Sequence, residues 1–329
     1  MRIGINPVKN TYTKLRHKPH RIIMPIYIPN LEEDYFQNTL KVVKKSIDSI
    51  INTTDNKYTN ITLINNGSCD EVDTLLTQYF VDLKIDRYIR QENRGKVEAV
   101  IKEARASYEE YITITDADVF FRQGWLTSTL EIFKSYKKAG MVSPFPTPNL
   151  FSPYNNAAII ENFFLGSIKK SSVVNFSDLK EFEMSIDADG LYSKYYKNQY
   201  HLRNHDLITM LGASHMVATY KNYLFQEQKN KVEYVFENGL EREFLDVIAQ
   251  KHGLWRLGTA GAYVHHMGNS VYTEPLDEKR FAVEEWEFPK YKHYDHMWFW
   301  NSYMVEIFAR IVTRLLRKTK VEIHEEDKE

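Results

Sequence analysis

Strand-sized apolar runs alternate with helical periodicity over residues 21–126, and this pattern constrains the fold more than any other feature. Residues 21–28 are a short β-rich run closed by Pro29 and Asn30. After it Phe36, Leu40, Val43, Ile47 and Ile50 recur at steps of four, three, four and three, the spacing of an amphipathic helix. A second strand over 60–64 stops at Asn65-Asn66-Gly67-Ser68. A helix over 70–80, a strand over 85–89 and a third helix over 95–106 follow, the last with Val97, Val100, Ile101 and Ala104 on one face. Residues 111–115 form an apolar and threonine strand that runs straight into Asp116-Ala117-Asp118. Short buried strands in alternation with helices predict an α/β fold, a mainly parallel sheet flanked by helices and joined by right-handed crossovers.

The second half is less regular. Pro144, Pro146 and Pro148 break any helix and predict a crossing over the sheet edge. Residues 154–205 read as loops and short helices, 211–219 as a strand, 239–251 as a helix and 254–266 as one or two strands. An amphipathic helix over 298–318 precedes an acidic tail with Glu325, Glu326 and Asp327. The expected organisation is an extension over 1–20, a first half over 21–145, a second half over 146–296 and a terminal helix and tail over 297–329.

Composition narrows the function. Lys+Arg 43 against Asp+Glu 44 gives a net charge of −1, which argues against a nucleic acid held by bulk electrostatics. No apolar run approaches the roughly 20 residues that span a bilayer. The single cysteine, Cys69, forms no internal disulfide, and residues 1–20 are polar and basic, so a cytoplasmic address is expected. Tyr 22, Phe 18 and Trp 5 suit stacking on flat rings or sugar faces, and equally an aromatic core.

The strongest chemical feature is Asp116-Ala117-Asp118. Two carboxylates at i and i+2 on an extended segment point the same way, at the strand end where open α/β sheets bind ligands. They suit a hard divalent cation bridging phosphate oxygens, or else they are two solvated acids in a turn. Asp187-Ala188-Asp189 repeats the tripeptide without a long preceding strand and runs into Gly190, so a polar loop is expected there. Asn93-Arg94-Gly95-Lys96 opens a helix, where free N–H groups and basic side chains favour anions. Pro25 and Tyr27 close the first strand, with Tyr27 placed to lie on a nucleobase or to pack beneath the first helix.

In order and spacing these features resemble the glycosyltransferase family 2 enzymes, whose fold is the Rossmann-like GT-A fold. The likeness runs through Pro25 to Tyr27, Asn65 to Ser68, Asn93 to Lys96, Asp116 to Asp118 and Gly124-Trp125-Leu126, about a third of the chain. It implies a nucleotide-sugar-binding first half, an irregular acceptor-side second half and a DXD motif. It implies that Pro25, Tyr27, Asn65, Arg94 or Lys96, Asp116 and Ala117 surround the nucleotide. Asp118 would bind Mn²⁺ or Mg²⁺ beneath the diphosphate. A UDP-sugar donor is expected, although Asn65 stands where the family usually carries an acid.

The family places its catalytic base at a helix start about a dozen residues before a glycine. Counting back from Gly253 reaches Glu241, followed by Arg242 where an Asp is usual. Leu240, Phe244, Val247 and Ile248 form the apolar face of this helix, and Glu241 projects near its edge. Glu241 is therefore the first candidate base and Glu243 the second, the alternative for Glu241 being a salt bridge. The resemblance also suggests a late histidine as a metal ligand. If His265-His266 is extended, only one of the two reaches the metal.

Met304, Ile307, Phe308, Ile311, Val312, Leu315 and Leu316 stripe one side of the last helix, opposite Arg310, Arg314, Arg317 and Lys318. This helix either packs on its own domain or lies against an anionic membrane. The expected activity is metal-dependent transfer of a sugar to a hydroxyl of a saccharide or lipid-linked acceptor, with inversion, in bacterial-type surface polysaccharide or glycolipid assembly. Two other readings stay open. A nucleotidyltransferase would show a Gly-rich basic loop after the first strand, and residues 26–32 contain no Gly, Lys or Arg. A non-catalytic nucleotide-sugar-binding module is the other, because Arg242 replaces the usual Asp.

Overall fold

The computed structural model describes residues 4, 17–228, 232, 239–276, 286–295 and 298–319. Most of the expected extension 1–20 and the acidic tail lie outside these residues. β1 (His20–Ile26), β2 (Thr59–Asn66), β3 (Arg87–Gln91) and β4 (Tyr111–Thr115) alternate with α1 (Thr39–Thr53), α2 (Asp70–Val81) and α3 (Lys96–Arg105). The four strands are parallel and lie in the order β3-β2-β1-β4.

Both faces of β1 are buried, which is why it reads as a continuous apolar run rather than an alternation. Ile22, Met24 and Ile26 join Val43, Ile47 and Ile50 of α1 and Val72 and Leu76 of α2 in one core layer. Ile23 faces the other layer with Val97, Val100 and Ile101 of α3. The register is tied down by polar groups as well. His20, wholly buried, meets the hydroxyl of Thr59 on β2 at 3.0 Å and that of Thr113 on β4 at 2.7 Å.

The sheet continues through β10 (Val217–Lys221), β6 (Ala139–Ser143), β11 (Trp255–Thr259), β9 (Leu207–Leu211), β8 (Gln199–Asn204) and β7 (Lys169–Ser171). β10, β9 and β7 run against the other seven strands, so the sheet is mainly parallel, as expected. It also joins the two halves of the chain, since β10 of the second half lies between β4 and β6 of the first.

Three expectations for the second half need correction. The strand expected over 211–219 is two strands, β9 and β10, separated at Gly212. That residue has φ +103°, and a Cβ there would meet the carbonyl oxygen of Leu150 at 2.5 Å. The region 154–205 contributes β7 and β8 beside its short helices. The helix over 239–251 is a π-helical turn, Arg242–Asp246, followed by α8 (Ile248–Lys251).

α9 (Tyr303–Lys318) divides its apolar stripe. Val305, Ala309, Val312 and Leu316 are buried, whereas Met304, Ile307, Phe308, Ile311 and Leu315 are exposed. Among the described residues no helix is long and apolar enough to cross a membrane.

Candidate active site

Strand order reverses beside β1. The crossover through α1 leads to β2 on one side, while β4 takes the other. Ligands of open α/β sheets bind at such a switch point, outside the carboxyl ends of the strands. A cavity of about 580 Å³ lies there, lined by Pro25 near the end of β1, Tyr27 just after it, Asp116 to Asp118 after β4, and Lys96 at the start of α3. Glu241, immediately before the π-helical turn, lines it from the second half of the chain.

Local pairing explains how Asp118 is placed. The chain leaves β4 and turns through Asp116-Ala117-Asp118 into β5 (Val119–Phe121). Two serines of α1 hold β5: the Ser46 hydroxyl donates to the Val119 carbonyl at 2.6 Å, and the Phe121 N–H donates to the Ser49 hydroxyl at 3.0 Å. β12 (Val264–His266) pairs antiparallel with β5 and sets His266 opposite Val119.

His266 Nε2 thereby lies 3.3 Å from Asp118 Oδ2, while its Nδ1 meets the Ser185 hydroxyl at 3.0 Å. Burial opposes charge on this imidazole, but the hydrogen bond to Asp118 and the charges of Asp118 and Asp116 outweigh it and raise its pKa. His265 projects to the opposite face and stacks on Tyr272, ring centres 3.8 Å apart. Burial first, then Arg122 and His266, pulls its pKa down to about 4. Of the two histidines, His266 alone meets Asp118.

Lys96 is ion-paired with Asp116. Burial works against its charge, yet Asp116, with Glu241 and Asp118 behind it, raises its pKa. Asp118 Oδ1 is buried with no hydrogen-bond partner among the described residues. A carboxylate oxygen taken out of water without a donor is the kind of group a cation satisfies. Asp118 and His266 together offer one oxygen and one nitrogen donor. Among the described residues no cluster of three or more His, Cys, Asp or Glu is gathered for a metal, so further ligands would come from phosphate oxygens and water.

Five expected positions do not line this cavity. Asn65 is committed to its own turn: its Nδ2 donates to Asp73 at 3.0 Å and to the Tyr88 hydroxyl at 3.2 Å, and its Oδ1 accepts from the Ser68 N–H at 2.8 Å. The neighbouring Asn66 lines the cavity instead. Arg94 and Glu243 are exposed outside it, one residue past a turn and on the outer side of the helix respectively. His265 and His266 both line an adjoining recess of about 760 Å³, which shares Asp118 with the first cavity.

Sequence reasoning missed Asn93, Tyr35 and Asp187. Asn93 lines the cavity because the turns at 66–68 and 93–95 touch. Gly67 has φ +88°, and a Cβ on it would come within 2.8 Å of the Asn93 nitrogen. The tight glycine turn was the available signal. Tyr35 belongs to a loop without periodicity and gave none. Asp187 sits in a loop, as expected, but lines the same adjoining recess that Asp118 lines. Its partner Asp189 is exposed and paired with Lys180.

Comparison with known proteins adds a family. Residues 25–182 match the model of Glycosyl transferase family 2. No curated protein sequence matches the chain. A mannosyltransferase, PcManGT from Pyrobaculum calidifontis, solved with GDP-Man and Mn²⁺, is similar at 12% identity and TM-score 0.45, over 74% of this chain and 57% of that one. S. aureus TarS 1-349 is similar at 10% identity and TM-score 0.46, over 75% of this chain and 60% of its own. The same protein in complex with UDP-GlcNAc gives 10% identity and TM-score 0.44, over 78% and 62%. The chain thus spans less than two thirds of the length of these structures.

Proposed function

From the premise that residues 25–182 are a Glycosyl transferase family 2 domain, we propose that the chain transfers a sugar from a nucleotide-sugar donor to an acceptor hydroxyl. The observation that carries this reading is the convergence of Asp116, Asp118, Lys96 and Glu241, drawn from distant parts of the chain, on one cavity at the switch point of the sheet. The nucleotide lies over the carboxyl ends of β1 and β4 with Tyr27 beside its base. Lys96, freed from Asp116 as phosphate enters, holds a diphosphate oxygen.

A divalent cation, Mn²⁺ or Mg²⁺, fits Asp118 and His266, where it would supply charge neutralisation for the leaving diphosphate. The unpartnered Oδ1 of Asp118 supports that fit. Glu241 receives the proton of the acceptor hydroxyl as that oxygen bonds to the anomeric carbon and the nucleoside diphosphate departs. A single displacement of this kind inverts the anomeric centre. The exposed apolar row of α9 supports peripheral contact with a membrane from the cytoplasmic side, where lipid-linked acceptors and the assembly of surface glycans are at hand.

A panel of UDP- and GDP-sugars with Mn²⁺, scored for both transfer and donor hydrolysis, tests the reading. Release of nucleoside diphosphate that depends on Glu241 and Asp118 is expected. Donor binding with no turnover on any acceptor would instead favour a binding module.

A further inference from the structure

The second half of the chain holds a cavity that the proposed reaction leaves unused. It measures about 680 Å³ and lies between the loop at 150–156, the π-helical turn and α9. Arg242, Arg256, Arg310, Arg314 and Arg317 line it, against only two carboxylates, Asp246 and Glu306. Both carboxylates are already engaged. Asp246 meets Arg256 at 3.0 Å and His215 at 3.0 Å, and Glu306 meets Arg310 at 2.5 Å.

Arg317 lies over the Phe151 ring. Arg242 and Arg314 form no ion pair among the described residues, although both line the cavity. At the floor, Arg256 is wholly buried and its Nε has no partner among the described residues. A cavity with this excess of guanidinium groups is built for an oxyanion, and arginine forks match phosphate in particular.

Position supplies the role. Glu241 lines the first cavity, and the next residue, Arg242, lines this one. Residues 239–241 line the first cavity and the π-helical turn that directly follows them lines this one, a helix irregularity frequent at functional sites. We propose that the arginine cavity binds a phosphate group carried by the acceptor, held by Arg242 and Arg314 while the acceptor hydroxyl reaches Glu241. This rests on Glu241 facing the acceptor. The exposed apolar row elsewhere on α9 points to a phosphate borne by an amphiphile, a soluble phosphoester being the other source of the same chemistry.

Calorimetric titration of the full chain with inorganic pyrophosphate provides the test, with Lys96→Ala separating this cavity from the first. Arg242→Ala/Arg314→Ala should weaken binding at least about tenfold, the size of one lost charge-assisted hydrogen bond. The Lys/Lys double variant should recover part of it, and the melting temperature should stay near wild type. Unchanged affinity in the Ala/Ala variant, or a loss that follows Lys96→Ala alone, would overturn the proposal. Co-sedimentation with phosphatidylglycerol vesicles, against phosphatidylcholine, and competition by glycerol 3-phosphate tell the two phosphate sources apart, and arginine-dependent binding in either supports the site. If nucleoside diphosphates fail to bind while pyrophosphate still depends on Arg242 and Arg314, the donor reading fails and the anion site stands.

Discussion

Asp246 offers a direct check on which acid near the π-helical turn is structural. Its side chain is almost fully buried between His215 and Arg256, and Arg256 is itself completely buried. Asp246→Asn would leave the Arg256 guanidinium without its counter-charge. Removing one partner of a buried pair costs about 3–5 kcal/mol. Here Arg256 keeps two carbonyl acceptors, Pro153 at 2.8 Å and Ala213 at 2.5 Å, so the low end, about 3 kcal/mol, is expected. With a urea m-value of about 3 kcal/mol/M, the midpoint should fall by about 1 M.

The sign with pH follows from the same contacts. Burial opposes ionisation of Asp246, but the Arg256 charge and the His215 hydrogen bond outweigh it and lower the pKa. The carboxylate's contribution is therefore present above its unfolded pKa, and the gap to Asp246→Asn should close as pH falls through the folded value. Asp246→Leu/Arg256→Met should recover much of the loss, because buried pairs exchange for apolar groups at little cost. An unchanged midpoint in Asp246→Asn, or an equal drop when Arg256 is already methionine, would refute this account.

Three further outcomes are expected. Glu241→Gln should keep donor affinity and lower transfer about 10²- to 10⁴-fold in a single-turnover assay, and normal turnover would move the base elsewhere. Gly67→Ala forces a left-handed residue and a Cβ against Asn93, so a loss of about 2–4 kcal/mol is expected by urea unfolding, with weaker nucleotide binding. An unaltered midpoint there would mean the two turns do not need their close approach. Burial, partly offset by Glu109, brings the His20 pKa down to about 3 from 6.5. The unfolded chain therefore binds the extra proton between these values, and stability fully present above pH 6.5 is lost as pH falls. His20→Gln should flatten this acid slope by up to one proton, about 1.4 kcal/mol per pH unit, in urea midpoints measured from pH 7 to 4. An identical slope would place the titration on other groups.

The first half of the fold was legible because β1, β2 and β4 are buried on both faces and its helices carry clear apolar stripes. β4 was read with the bounds it has, and the opposite projection of His265 and His266 followed from strand geometry alone. β7 and β8 escaped because Lys169–Ser171 and Gln199–Asn204 are too polar for an apolar alternation to stand out. At Gly212 the strand is interrupted inside an apolar run. Asn65 and Asn66 differ only in which partners the fold gives them, and no local pattern separates those roles. On α9, spacing showed the apolar stripe but not that its core contact would cover only Val305, Ala309, Val312 and Leu316.

The most direct test of the central claim is calorimetric titration of UDP and GDP into the wild-type chain and Asp118→Ala, with and without Mn²⁺. One nucleotide should bind the wild type with Mn²⁺ and much more weakly without it, and Asp118→Ala should lose the Mn²⁺ dependence while melting near the wild-type temperature. Equal, Mn²⁺-enhanced binding in both proteins would contradict a cation held by Asp118 at the switch point of this sheet.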